Sequence, residues 1–403
     1  MSAASPFRIV MALACFVLSV RAQAQDEPVT TEKRSEDGIT AAIDIRDNQF
    51  LDSPYEKRKA RRTAWMQALG LDVVFTYDAL AMGVVGDDSD WGASSGDATL
   101  NLRWQIRPET KKWPLSLNIR MRQRHAYSDL APSELRRETG TLWGHVDGFT
   151  DADFQIPEIY IEHRFFERRL TLRYGQMTID DLLDGHQLRS AKRSFMNQAV
   201  ASSPGVGFPG SDTGFIARWQ SRDGWDLTLG LTNVDSTNLS ESTSWQLLGG
   251  ALFQGLQLGY TFEGWKGRET RAQVLAWKSD AMEKIDLPHG SGLSFTVEQD
   301  FSARTRSFFR YALADGQAAV TSHFASAGIA RDFGHSDRLG LALGAGKSSR
   351  NSDVWQGVIE LFYRRKIGKH LLITPDIQLV GGDGMGGSSN WYLIGGLRTG
   401  FTF

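Results

Sequence analysis

Three arginines at alternate positions of one short segment have the most readily interpreted chemistry in this sequence. Between residues 115 and 124, apolar side chains alternate with Arg120, Arg122 and Arg124, so a strand would place all three guanidinium groups on one face. A dry core does not accept three unpaired guanidinium groups. This face therefore meets water, while the opposite face meets a core or lipid. Each guanidinium is a planar fork that can bind vicinal hydroxyls or a carboxylate through two hydrogen bonds.

The strands that position these arginines have the length of membrane-crossing strands. Residues 98–107 alternate in the same way as residues 115–124, and about 9 to 11 residues suffice for a tilted strand to cross a bilayer. Near the C-terminus, Leu393, Leu397, Phe401 and the final Phe403 share one parity, as in the last strand of bacterial outer-membrane barrels. The pattern predicts an all-β transmembrane barrel with a wet interior.

The number of strands follows from the lengths of the connections. Seventeen alternating segments can be recognised, but a single-chain bacterial barrel has an even number of strands, with short turns on one side and longer loops on the other. This pattern of loop lengths fails only if Gln254 and Gly255 form an outer loop. Joining 245–253 with 256–262, or assigning 245–253 to a loop, gives sixteen antiparallel strands.

Composition and the N-terminal region indicate export. Arg8, an apolar run and Ala22-Gln23-Ala24 predict a signal peptide over residues 1–24. Residues 25–70 form a polar, periplasmic segment with one short predicted helix, and residues 71–403 form the barrel. The single cysteine, Cys15, lies in the signal peptide, so the mature chain has no thiol chemistry. With 45 basic and 47 acidic residues, the near-zero net charge argues against nucleic acid as a partner.

Motifs for catalysis, cofactors or metals are missing from the sequence. It contains no Walker loop, no G-x-S-x-G elbow and no H-E-x-x-H pair. Asp180, Asp181 and Asp184 could bind calcium or act as paired carboxylates in glycoside hydrolysis, but nothing nearby completes a site. We therefore interpret these acids as solvated loop charges, and we predict no catalytic residue, no metal site and no cofactor.

Strand parity predicts a channel wall that carries both signs of charge. Such a wall suits a polar solute with many hydroxyls, although inward arginines and glutamates could instead pair only with one another and hold the barrel round. The residues predicted to line the channel and bind solute are Arg103, Arg120, Arg122, Arg124, Glu158, Arg164, Asn197, Glu360, Arg364 and Asp376.

Several of these segments resemble the carbohydrate-selective, OprB-type porins of Gram-negative outer membranes. Residues 121–125 (MRQRH) resemble the family's Q-R-H strand end, and residues 173–177 (RYGQM), with Asp180 and then 195–197 (FMN), resemble the stretch that leads into its constriction loop. Residues 360–364 (ELFYR), 374–378 (TPDIQ) and 396–398 (GLR) resemble its C-terminal motifs. The resemblance implies sixteen strands, passive sugar uptake, and an arginine-lined eyelet narrowed by an inward-folded loop after the fifth strand.

From these observations we predict an outer-membrane porin for monosaccharides and related small polar solutes. Its partners would be those solutes and outer-membrane lipid, and the chain would be a monomer or a homotrimer. Two alternatives stay open: a barrel for polysaccharide export or scaffolding, and an outer-membrane enzyme. The enzyme would need a convergent set of acid, base or nucleophile, which the sequence does not display.

Overall fold

The structure, a computed structural model, describes residues 66, 69–85, 92–234, 250–281, 288–333, 337–368, 370–385 and 390–402. The predicted signal peptide and residues 25–65 lie outside these ranges. Among the described residues, no helix is long and apolar enough to cross a membrane.

The described chain forms sixteen strands that close into one antiparallel barrel. Each strand pairs with the next, and β1 pairs with β16, with Tyr77 opposite Phe401. The strands are β1 (Leu71–Val85), β2 (Gly92–Arg107), β3 (Leu115–Ala126), β4 (Ala152–Phe165), β5 (Leu170–Met177), β6 (Asp212–Gln220), β7 (Trp225–Asn233), β8 (Leu252–Glu263), β9 (Glu269–Ser279), β10 (Gly290–Ser302), β11 (Thr305–Gly316), β12 (Thr321–Phe333), β13 (Asp337–Ser348), β14 (Trp355–Ile367), β15 (Leu371–Gly382) and β16 (Trp391–Thr402).

The sixteen-stranded barrel predicted from the sequence is confirmed. Gln254 and Gly255 lie inside the continuous strand β8, so the residues that disturbed the strand count are not a loop. Residues 245–249 of the predicted segment 245–253 lie outside the described ranges, and of residues 250–253 Leu252 and Phe253 belong to this strand. Alternation explains how the strands face two environments: in β14, Glu360 and Phe362 are buried in the interior, whereas Leu361 is 43% exposed on the outer surface.

Two loops on the same side of the barrel fold into its interior. The β3–β4 loop, residues 127–151, contains the helical turn Pro132–Glu134 and the helix α1 (Leu135–Thr139). The β5–β6 loop, residues 178–211, contains the turn Ile179–Asp181 and the helix α2 (Gln198–Ala201); we call it the constriction loop. The remaining helical turn, Trp265–Gly267, connects β8 and β9.

Aromatic side chains are concentrated on one side of the inner wall, where buried charged residues such as Arg310 and Glu360 lie between them. Phe308, Phe324 and Phe362 project inward from β11, β12 and β14, where they pack against apolar residues of the two inward loops. In contrast, the inner faces of β1 to β5 carry buried carboxylates and arginines. The constriction loop packs against these rings, and the open passage lies between the loop and β3.

Candidate functional site: a passage between the arginine row and the constriction loop

A polar cavity of about 450 Å³ lies between β3 and the constriction loop. Arg120, Arg122 and Arg124 line one side of it, as strand parity predicts, and Lys192 of the constriction loop also lines it. The other lining residues are Thr76, Thr99, Asn101, Asp147, Gly148, Thr150, Gln155, Pro157, Thr178, Asp180, Asp181, Ser190, Ala191, Ala201, Gly210 and Ser211.

The three arginines of the row differ in their partners. Arg120 donates from Nη1 to Glu158 at 2.6 Å and from Nε to Asn101 at 3.0 Å, and it lies 3.4 Å from Asp181. Arg122 donates from Nε to Asp97 at 2.7 Å.

Arg124 instead donates to the side-chain amide oxygen of Gln155. Among the described residues, no carboxylate forms an ion pair with Arg124, whereas Arg120 and Arg122 each have one.

An irregular pairing of β3 with β4 aligns Gln155 with this row. Arg120 lies opposite Glu158, Arg122 opposite Gln155 and Arg124 opposite Ala152, so β4 advances three residues for every two of β3. Such bulges bend a strand and change the direction of its side chains. Pro157 lies within the first bulge, where proline, which lacks an N–H donor, is tolerated.

Lysine and arginine side chains fasten the constriction loop to the charged wall. Lys192 Nζ lies 3.2 Å from Asp78 and 3.0 Å from Asp97, and it is 3.1 Å from the Thr99 hydroxyl. Arg193 Nη1 donates to Asp78 at 2.5 Å. Because Asp97 also accepts from Arg122, the loop and the arginine row share one buried carboxylate.

Buried polar groups of β14 and β15 hold the next residues of the same loop. The backbone N–H groups of Met196 and Asn197 donate to the Glu360 carboxylate at 2.5 and 3.2 Å. The Asn197 side chain caps α2 by accepting from Ala199 N at 2.9 Å. Its amide nitrogen donates to Gln378 at 2.8 Å.

The ten residues predicted to line the channel therefore fall into three groups. Arg120, Arg122 and Arg124 line the cavity directly, and Glu158 supports Arg120 from behind. Asn197 lies on the constriction loop itself. Beneath this loop lie Glu360, Arg364, which donates to Arg193 O at 2.9 Å, and Asp376, which accepts from Gln378 at 3.0 Å. Towards the short turns lie Arg103 and Arg164, which contact Glu162 at 3.4 and 2.7 Å.

The interpretation of the loop aspartates as solvated charges was wrong. Asp180 pairs with Arg189 at 2.6 Å, and Asp184 accepts from the hydroxyls of Ser294 and Thr296 at 2.7 and 3.2 Å. Asp184 is 1% exposed because the loop that carries it is packed inside the barrel. The described residues contain no cluster of three or more histidine, cysteine or acidic side chains that could hold a metal ion.

Sequence reasoning missed Lys192 as part of the passage. Its position follows from the path of the constriction loop, which no local pattern encodes. His145 of the β3–β4 loop is also fully buried, and its Nε2 lies 2.8 Å from the Thr139 hydroxyl. Burial lowers the pKa of His145 to about 3, because the charged imidazolium would lose its hydration.

A closed sixteen-stranded barrel narrowed by an inward loop defines a porin-type channel, and no enzymatic activity belongs to this class. The chain belongs to the OprB family of carbohydrate-selective porins, whose family model matches residues 131–284 and 286–403. Membership of a porin family, together with the barrel fold, indicates the bacterial outer membrane.

Solved structures with this fold share little sequence with the chain. The high-pH structure of Pseudomonas putida OprB has a TM-score of 0.68 at 13% identity, covering 87% of this chain and 97% of that one. The low-pH structure of the same protein has a TM-score of 0.55 at 11% identity, covering 88% and 98%. A double mutant of the Rh. blastica porin has a TM-score of 0.53 at 10% identity, covering 83% and 100%. No curated protein is similar enough in sequence to count as a relative.

Proposed function

We propose that this protein is an outer-membrane channel through which monosaccharides and related small polar solutes diffuse passively. The observation that carries the proposal is the polar cavity of about 450 Å³ between the arginine row and the constriction loop. Cavities that enclose small ligands span about 300–1,000 Å³. This cavity therefore has the size for one small solute.

The lining offers hydrogen bonds of both kinds to a passing sugar. Arg120, Arg122 and Arg124 donate, while Asp181 and the hydroxyls of the constriction loop accept. Because Arg120 and Arg122 are already held by carboxylates, a sugar hydroxyl competes with an existing partner and gains only part of the roughly 1.5–3 kcal/mol of a desolvated charged hydrogen bond. Weak binding is what a conducting channel needs, since a passenger must leave as easily as it enters.

The inward loops argue against the alternative of polysaccharide export. The β3–β4 loop reaches the opposite wall, where Gln356 accepts from Leu142 N at 2.7 Å and donates to Gly140 O at 3.1 Å. Together with the constriction loop it occupies much of the lumen, which disfavours a threaded polymer. Each barrel encloses its own passage, so a monomer and a homotrimer would conduct in the same way. The apolar outer face would contact membrane lipid.

Planar-bilayer recordings with a series of sugars test this proposal. We expect single-channel currents that monosaccharides reduce in a concentration-dependent manner, and we expect vesicles containing the protein to swell in monosaccharide solutions. As a size control, a large oligosaccharide should neither block from within nor cause swelling. A folded protein that gives ion currents indifferent to every sugar would contradict the proposal.

A further inference from the structure

We propose that the solutes preferred by this channel are acidic sugars, and that Arg124 recognises their carboxylate. This inference rests on the proposed function and narrows its substrate class to sugar acids such as aldonates and uronates. Three observations support it: the pairing of the cationic side chains, the absence of aromatic rings from the described lining, and the position of the acidic side chains.

Pairing distinguishes Arg124 from the other cations of the cavity. Carboxylates neutralise Arg120, Arg122 and Lys192 at ion-pair distance. Arg124 contacts the neutral amide of Gln155 instead. Its guanidinium stays charged at any physiological pH, and one amide oxygen occupies only part of its donor fork. A solute carboxylate can bind the remaining donors in the two-point geometry that guanidinium favours.

The lining favours charged over neutral sugars because it offers no flat apolar surface. Among the described residues that line the cavity, none is aromatic. A neutral sugar can therefore only exchange hydrogen bonds to water for hydrogen bonds to the wall, and the net gain from such an exchange is small. A carboxylate and a guanidinium are both ionised and form two parallel hydrogen bonds, so a carboxylate would decide which sugar is retained.

Acidic side chains elsewhere in the cavity would orient a sugar acid. Asp181 of the constriction loop lines the cavity beside Arg120, 3.4 Å away, and would repel a carboxylate while accepting hydrogen bonds from hydroxyls. Asp147 also lines the cavity and is an electrostatic neighbour of Arg124. It should weaken the binding of an acidic sugar, which keeps the site suitable for passage rather than tight capture.

Gluconate and glucose form a six-carbon probe pair of an open-chain acid and a neutral ring, and sorbitol, a neutral open chain, serves as the control for shape. Each would be added to single-channel recordings of the full-length protein at fixed ionic strength. We expect gluconate to block the wild type at about one tenth of the glucose concentration, a difference equivalent to about 1.4 kcal/mol. Arg124→Gln should abolish this preference by weakening gluconate block more than glucose block.

Two further variants separate charge from geometry. Arg124→Lys keeps the charge but loses the planar fork, so we expect a preference between those of the wild type and Arg124→Gln. Arg331→Gln removes the same charge from an exposed position at the end of β12 and should leave the preference intact. Asp147→Asn should strengthen gluconate block. A closed barrel resists detergent until it is heated and therefore changes its gel mobility on boiling. Retention of this heat-dependent gel shift would show that each variant has folded.

The outcomes distinguish this inference from the proposed function. Equal block of the wild type by gluconate and glucose would overturn the acid preference and leave a sugar channel. A folded wild type blocked by neither would overturn the proposed function itself. A gluconate preference that survives Arg124→Gln would overturn the role assigned to Arg124.

Discussion

Phe195 is the apolar anchor whose removal should release the constriction loop. Its side chain is fully buried between Phe362, at a centroid distance of 4.9 Å and an interplanar angle of 87°, and Phe308, at 6.3 Å and 65°. Gly340 lies beneath it because a Cβ there would collide with the Phe362 ring and come within 3.0 Å of the Phe195 ring. Phe195→Ala would leave this recess unfilled.

The size of the effect follows from the cost of truncating a buried phenylalanine. Such changes destabilise by about 3–5 kcal/mol. If this cost destabilises only the docked position of the loop, the population ratio of released to docked loop rises. Since about 1.4 kcal/mol corresponds to a factor of ten, the rise is roughly two to three and a half powers of ten. We expect single-channel recordings of Phe195→Ala to show transitions to a higher conductance that the wild type lacks.

A matched control lies on the same wall. Phe309, the neighbour of Phe308 on β11, faces outward and is 42% exposed, so Phe309→Ala should leave the current unchanged. The heat-dependent gel shift should persist in both variants because neither side chain takes part in the backbone ladder. Gly340→Ala should reproduce the conductance transitions by displacing the same rings. Wild-type current and noise in Phe195→Ala would refute the role of this anchor.

Three other predictions concern the barrel, the arginine row and pH. The protein should fractionate with outer membranes and shift its gel mobility on boiling, because a closed hydrogen-bond ladder resists detergent; recovery from the soluble periplasm would contradict the architecture. Arg122→Gln should weaken glucose block roughly three- to tenfold, since a charged hydrogen bond contributes about 1.5–3 kcal/mol when desolvated and less in a wet lumen. If the variant showed unchanged glucose block but a gel shift at a lower temperature, Arg122 would stabilise the barrel wall and not bind sugar. Burial lowers the pKa of His145 to about 3 in the folded protein. As the pH drops from about 6.5 towards 3, the unfolded chain therefore protonates this histidine while the folded protein does not, and the free energy of unfolding should fall. The measurement is the temperature of the heat-dependent gel shift as a function of pH, and His145→Gln should make this temperature depend less on pH. The same pH dependence in wild type and variant would contradict the prediction.

Strand alternation explains why the barrel could be predicted from sequence. Arg120, Arg122 and Arg124 share a face with every second residue of β3, and a period of two needs no knowledge of distant contacts. The constriction loop was harder to predict because its path depends on partners far along the chain. Glu360 has the inward parity of a channel-lining residue, but it accepts backbone N–H groups of Met196 and Asn197 and is therefore covered.

The pairing of Arg124 with an amide was likewise hidden from the sequence. A regular register from Arg120 opposite Glu158 would bring different residues of β4 to the arginine row. Two bulges place Gln155 there instead. Bulges of this kind depend on the curvature of the whole sheet, so alternation alone shows which face an arginine occupies without showing what it meets there.

Because β1 pairs with β16, we expect completion of the barrel to be a late event in its folding. Tyr77 and Phe401, which lie opposite one another, come from the two ends of the chain, whereas every other strand pair joins neighbours in sequence. The entropy lost in bringing chain ends together increases with their separation, and such non-local pairings slow folding. Until the C-terminal strand arrives, β1 exposes an unpaired edge that invites association with other chains. A newly exported chain therefore stays vulnerable to aggregation until its final residues are in place.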